Sequence, residues 1–134
     1  RRQRQMCIRD RRRDGLEVDR WNRLNPGKEA KKTWTQTQLG DSKTPIIAVS
    51  DNMVAVPDMV RKWMPENFEV LGTDGFGRSD TREALRRFFE IDGESITLAA
   101  LSQLVRKGDI EASVYQKAAK KFGISTKRND ITEL

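Results

Sequence analysis

The chain has 134 residues, enough for one domain with a modest core, and 34% of them are charged against 36% hydrophobic. It has no histidine and a single cysteine, Cys7. That excludes Ser-His-Asp and Cys-His catalysis within the chain and leaves residues 14–134 without a disulfide, a thiolate nucleophile or a sulfur-ligated metal. The net charge of +6 sits in a leader: of 26 basic and 20 acidic residues, seven Arg and Asp10 fall in residues 1–13, which leaves 19 of each sign in the rest.

That balance argues against nucleic acid as a partner of the domain, since the basicity belongs to the leader. No apolar run approaches the roughly 18 residues that span a bilayer. Residues 1–13 show no helical or strand periodicity, and Met6-Cys7-Ile8-Arg9-Asp10-Arg11 has the look of foreign sequence. The leader is therefore expected to be non-native or disordered and stands outside the fold argument. An Arg-rich arm for nucleic acid or an acidic surface is the competing account. The domain is expected over 14–123, followed by a polar tail, 124–134.

Asp14 to Leu24 carries a weak amphipathic signal through Leu16, Trp21 and Leu24, ended by Asn25-Pro26-Gly27. Lys28 to Thr44 reads as a long surface loop pinned by the Trp34 indole. Ile46 to Val49 is a short, largely β-branched apolar run, as expected of a parallel strand buried on both faces. Ser50 or Asp51 caps a helix with Met53, Val56, Val60, Trp63 and Met64 inward, kinked or opened by Pro57 and closed by Pro65. Phe68 to Leu71 is a second strand.

Asp80 with Glu83 three residues on resembles a capping box for a helix over Thr81–Glu90 that buries Ala84, Leu85, Phe88 and Phe89. Asp92-Gly93 opens another, with Ile96, Ala99, Ala100, Leu104 and Val105 inward and Gly108 as its left-handed cap. A last helix runs from Asp109 to Phe122, with Ile110, Val114, Tyr115, Ala118 and Phe122 inward, and Gly123 stops it. Arg86-Arg87, Lys117, Lys120 and Lys121 read as solvated surface, and Trp21, Trp34 and Trp63 as packing residues. Two strands are too few for so much helix. The sheet is therefore expected to be incomplete, with its first strands encoded upstream of residue 1.

Between the second strand and the next helix lies the loop Gly72-Thr73-Asp74-Gly75-Phe76-Gly77-Arg78-Ser79-Asp80. It leaves a strand end and enters a helix N-terminus, where free N–H groups favour anions, and Arg78 adds a bidentate donor. A structural turn explains it better: Gly72, Gly75 and Gly77 for unusual backbone angles, Asp80 as cap, Phe76 packed inward. Docking onto another part of a larger enzyme is the third reading. The pattern is neither a Walker nor a dinucleotide motif.

The stretch FEVLGTDGFGRSDTREALRRFF, followed by ESITLAAL, resembles the C-terminal domain of the transketolase-like thiamine enzymes. Within them it is most similar to the branch of homodimeric bacterial pyruvate dehydrogenases. Arg13-Asp14-Gly15, Glu17, Arg20-Trp21-Asn22 and the Ser50-Asp51 turn agree, so the resemblance spans 13–123. It implies a three-layer α/β domain, truncated on its N-terminal side.

The resemblance also implies a parent enzyme that oxidatively decarboxylates pyruvate with thiamine diphosphate and Mg²⁺ and passes the acetyl group to the lipoyl group of a dihydrolipoyl acetyltransferase. The implied partners are the rest of the parent chain, its homodimer mate and that acetyltransferase, in the cytoplasm, with neither nucleic acid nor membrane. Cofactor, metal and catalytic groups belong to other domains. Ile91-Asp92-Gly93 departs from the family's Gly-Asp-Gly metal motif, and no catalytic, cofactor or metal residue carries over. The candidate site is Gly72, Asp74, Gly75, Phe76, Gly77, Arg78, Ser79 and Asp80, as a docking or anion-binding loop, and the fragment is expected to be inactive alone. The alternatives are a related transketolase or 2-oxoacid dehydrogenase, a non-catalytic basic binding module, and a small stand-alone sensor.

Overall fold

A computed structural model describes residues 8–40, 42–125 and 127. Cys7, the leader before it, and residues 126 and 128–134 of the tail lie outside the described residues. The elements in chain order are helix α1 (Ile8–Leu24), helix α2 (Trp34–Leu39), strand β1 (Ile46–Val49), the one-turn helix α3 (Ala55–Asp58), a 3₁₀ turn (Arg61–Trp63), strand β2 (Phe68–Leu71), and helices α4 (Arg82–Phe88), α5 (Gly93–Lys107) and α6 (Ala112–Phe122). No helix among the described residues is long and apolar enough to cross a membrane. The chain divides into two compact units: one holds the residues up to Thr44 with Ala55–Phe68, the other Pro45–Val54 with Glu69 onward.

In the first unit, α1 begins at Ile8 rather than near Asp14, so Arg9 to Arg13 form part of a continuous helix, a correction to the expected lack of periodicity. Arginine is a good helix former, and Asp10 in the first turn complements the helix dipole. Arg11 lies over the Trp34 ring at 5.2 Å. Residues 28–44 are likewise not one loop. Thr33 and Gln36 close a capping box, and α2 follows with Gly40 at its end.

The Trp34 indole is not the pin, because it is 41% exposed while Thr33 and Thr35 are buried. Asp14 accepts the Trp34 N–H at 2.7 Å, and Asn22 clamps both the N–H and the carbonyl of Lys31. Trp63 is buried, donates its indole N–H to Asp19 at 3.2 Å, and leaves no room for a side chain at Gly15, whose Cβ would stand 2.4 Å from the ring. Lys28 and Lys31 cover the half-buried Trp21 ring.

The expected helix after Ser50 is broken. Pro57 falls in the first turn of α3, where no N–H is needed, and a 3₁₀ turn follows in place of further α-helix. Val60 and Trp63 are buried as expected, Val56 and Met64 only half so, and Met53 is 53% exposed.

In the second unit, β1 and, from Glu69, β2 pair side by side in the same direction. The Ser50 N–H donates to the Leu71 carbonyl, and further along both strands the Thr73 N–H donates to the Asn52 carbonyl. The described sheet has these two strands. The α5 helix packs on β1 and on α6. Its caps are those read from the sequence: Asp92 accepts the Ser95 N–H, and Gly108 adopts φ 81.

The buried face of α5 is Ser95, Leu98 and Ala99; Ile96, Ala100, Leu104 and Val105 are half-buried. The α6 helix starts after Glu111, two residues later than Asp109; it buries Ala119 and leaves Val114 44% exposed. Gly123 caps it at φ 64. No residue of α4 is fully buried. Arg87 is a structural tie rather than solvated surface: it pairs with Asp92 at 2.9 Å and donates to the Phe122 carbonyl, joining three helices.

Candidate functional site

The Gly72–Asp80 loop leaves the C-terminal end of β2 and is stitched to residues 51–54, which leave the same end of β1. The Thr73 N–H donates to the Asn52 carbonyl, the Thr73 hydroxyl to the Asp51 carbonyl, each at 3.0 Å, and the Val54 N–H to Asp74 Oδ2 at 3.2 Å. Gly72 is needed for close approach, since a Cβ there would meet the Asn52 carbonyl oxygen at 2.7 Å and the Val54 nitrogen at 2.8 Å, both backbone. Only Gly75, at φ 120, takes a backbone angle reserved for glycine; Gly72 and Gly77 do not. Gly77 has open space around it.

The distal half of the loop differs in kind. Gly75 through Asp80 are all exposed, and Phe76, expected to pack inward, is 69% exposed. Phe76 follows the Asp74 anchor and the positive-φ Gly75. Arg78 places its guanidinium 4.4 Å from the Phe88 ring centroid, and Phe88 meets Phe89 edge-on.

Asp80 is not the helix cap. It accepts the Thr81 N–H at 2.7 Å, and Thr81 caps α4 by accepting the Ala84 N–H. The α4 turn that follows is only seven residues long, with one of its N-terminal N–H groups already bound, so an anion site there has little support. Ser79 is exposed.

Asp92 does not fit a metal–diphosphate role either. Its two oxygens are taken, one by the Ser95 N–H at 2.8 Å and the other by Arg87. Its partial burial raises the pKa, but Ser95 and Arg87 outweigh that, and the carboxyl stays below its ordinary value of 3.8. Of the Ser95 donors, only the backbone N–H meets hydrogen-bond geometry. No group of three or more acidic or cysteine side chains among the described residues could hold a metal. An open cavity of about 270 Å³, lined in part by Glu69, Ser95, Arg106 and Tyr115, escaped sequence reasoning, because its lining comes from β2, α5 and α6 with no shared motif.

Residues 13–92 match the family model of the transketolase-like TK C-terminal domain. The chain belongs to that family. The transketolase-like match covers α1 from Arg13 onward, both strands and the whole Gly72–Asp80 loop. Similar curated proteins include the pyruvate dehydrogenase E1 component of Pseudomonas aeruginosa, 48% identical over 90% of this chain and 14% of its own length. Those of Corynebacterium glutamicum and Escherichia coli K12 are 47% and 40% identical over 82% and 84% of this chain, each across 12% of its own length. This transketolase-like chain thus spans about an eighth of the relatives that it resembles.

Proposed function

We propose that this transketolase-like domain is the C-terminal structural and assembly part of a pyruvate dehydrogenase of the E1 kind. The observation that carries the reading is identity of 40–48% to E1 components along 82–90% of the chain, including the loop that the structure leaves exposed. In this reading the whole polypeptide oxidatively decarboxylates pyruvate in the cytoplasm as a homodimer and delivers the acetyl group to the lipoyl group of a dihydrolipoyl acetyltransferase. Thiamine diphosphate, with Mg²⁺, supplies the electron sink, and both are held by parts of the polypeptide outside this domain. The strands that complete its sheet lie there too.

The domain's own contribution is position. It has no histidine to move a proton, and its best-placed carboxylate, Asp92, is committed to capping α5. The test is a graft in which residues 13–123 replace the matching segment of the Pseudomonas aeruginosa relative. Pyruvate-dependent release of carbon dioxide within about tenfold of the parent's rate is the expected outcome. A folded but silent graft refutes the reading.

A further inference from the structure

We infer that the arginine face of α1 is a docking surface for an acidic, leucine-bearing segment of a second protein. The inference stands apart from the proposed function and does not need it. Arg9, Arg12, Arg13, Arg20 and Arg23 are all exposed on this 17-residue helix. At about 3.6 residues per turn they fall within about 100° of arc around Leu16 and run along about 21 Å of helix. The rest of the circumference carries the contacts that hold the unit, with Asp14 on the Trp34 N–H, Gly15 against Trp63 and Asn22 on Lys31. The charge is concentrated rather than general: the sequence of the first unit has 15 basic and 8 acidic residues, that of the second 11 and 12.

None of the five arginines makes an ion pair or a side-chain hydrogen bond among the described residues. Glu17, at the edge of the stripe, pairs with neither Arg13 nor Arg20, and Asp19 is taken by Lys62 and Trp63. Like charges three or four residues apart, as in Arg9–Arg13 and Arg20–Arg23, work against a helix, and an opposing row of carboxylates reverses that. Guanidinium groups suit the role because each can hold a carboxylate through two parallel N–H bonds. Phosphates meet the same charge, but the stripe is not all charge. Leu16 lies at its centre, 45% exposed, and Leu24 at its side, 59% exposed. A nucleic-acid backbone has no use for them, whereas an acidic segment with its own leucine packs on them. Two leucines are also too narrow an apolar face to seat the helix in a lipid interface. Arg9 and Arg12 precede the residues that match the family, so its domain does not account for the whole stripe, which favours a second protein over the rest of a longer polypeptide.

The experiment uses the 134-residue chain and a fluorescent peptide of about 20 residues, with glutamates around two leucines on one helical face. Anisotropy should show saturable binding that weakens as salt is added. Arg13→Glu with Arg20→Glu raises the dissociation constant about tenfold, and Leu16→Ser about threefold. Arg82→Glu with Arg86→Glu, the same charge change on α4, leaves it unchanged, and helical circular dichroism verifies that each variant is folded. No binding, an unchanged affinity in Leu16→Ser, or equal loss from the α1 and α4 pairs overturns the inference. So does tighter binding to oligo(dT) of the same length or to phosphatidylserine vesicles, which would make the stripe a phosphate surface. Self-association that the α1 reversals abolish overturns it as well, by assigning the face to a second copy. A graft like that described above but started at Ile8, active yet unable to take the peptide, shows the longer polypeptide covering the stripe and likewise overturns it.

Discussion

The two compact units are held by different kinds of contact. The second relies on signals close together in sequence: Asp92 caps a helix three residues on, Gly108 and Gly123 end helices in the left-handed conformation, and Arg87 reaches Asp92 five residues away. The first relies on side chains that meet across long stretches of chain. Asp19 bonds Trp63 and Lys62, Asp14 bonds the Trp34 N–H, and Gly15 makes room for the Trp63 ring. Local ties fix individual helices, whereas distant ties fix how helices lie together, and the latter fail as a set when one close approach is blocked.

The largest expected effect breaks the first unit at its closest approach. At Gly15 an added methyl meets the buried Trp63 ring, and alanine's gain of about 1 kcal/mol of helix propensity masks part of that overpacking cost. Valine removes that ambiguity. Gly15→Val is expected to cost about 3 kcal/mol, through overpacking together with a β-branched side chain in a helix. All three tryptophans belong to the first unit and the only tyrosine, Tyr115, to the second, so tryptophan emission during urea unfolding reads the first unit selectively. An unchanged emission midpoint would mean that the Gly15–Trp63 contact does not hold the unit.

A middle-sized effect probes the second unit through pH. The Asp92 pKa is depressed in the folded state, so its stabilisation is complete above the ordinary value of 3.8 and is lost as pH falls through that value to the lower folded one. Asparagine still caps a helix but cannot ionise. Asp92→Asn should therefore cost about 1 kcal/mol at neutral pH and flatten the decline in α-helical circular dichroism below about pH 4. Asp19 is also depressed, chiefly by its hydrogen bond from Lys62, but that lysine is 69% exposed and solvent screens the pair. Asp19→Asn is accordingly expected to alter the acid limb less than Asp92→Asn; the reverse order would place the stronger electrostatic tie in the first unit.

The smallest effect has the opposite sign. Glu90 ends α4 at φ 56, where its neighbours close a Schellman-type pair: the Ile91 N–H donates to the Arg86 carbonyl and the Glu90 N–H to the Arg87 carbonyl. A left-handed non-glycine residue costs about 1 kcal/mol, partly offset by the greater chain entropy of glycine. Glu90→Gly should stabilise the chain by about 0.5 kcal/mol in urea titration. A loss would show that contacts of the glutamate side chain outweigh its backbone strain.

The same contrast explains what could be read from the sequence. Both strands fall where short segments rich in apolar residues between breakers place them, but β1 is half-buried with Val49 exposed rather than buried on both faces. Asp92, Gly108 and Gly123 are local signals too. The cap of α4 slipped by one position, because Asp80 stands beside Thr81, whose hydroxyl takes the Ala84 N–H. The α2 helix was legible in the Thr33–Gln36 spacing but obscured by polar composition, since its buried residues are threonines. Gly15 is different: only the Trp63 ring, 48 residues away, explains it. Phe76 is different again, since an aromatic between two glycines does not tell whether it packs or stands exposed, and the structure leaves it 69% exposed.

In the proposed function this domain lends position rather than catalytic groups to thiamine-dependent chemistry. Calorimetric titration of the purified chain with thiamine diphosphate and Mg²⁺, with pyruvate present and carbon dioxide collected, tests it most directly. The account predicts no saturable heat and no pyruvate-dependent gas. Stoichiometric cofactor binding, or decarboxylation by the chain alone, would contradict it.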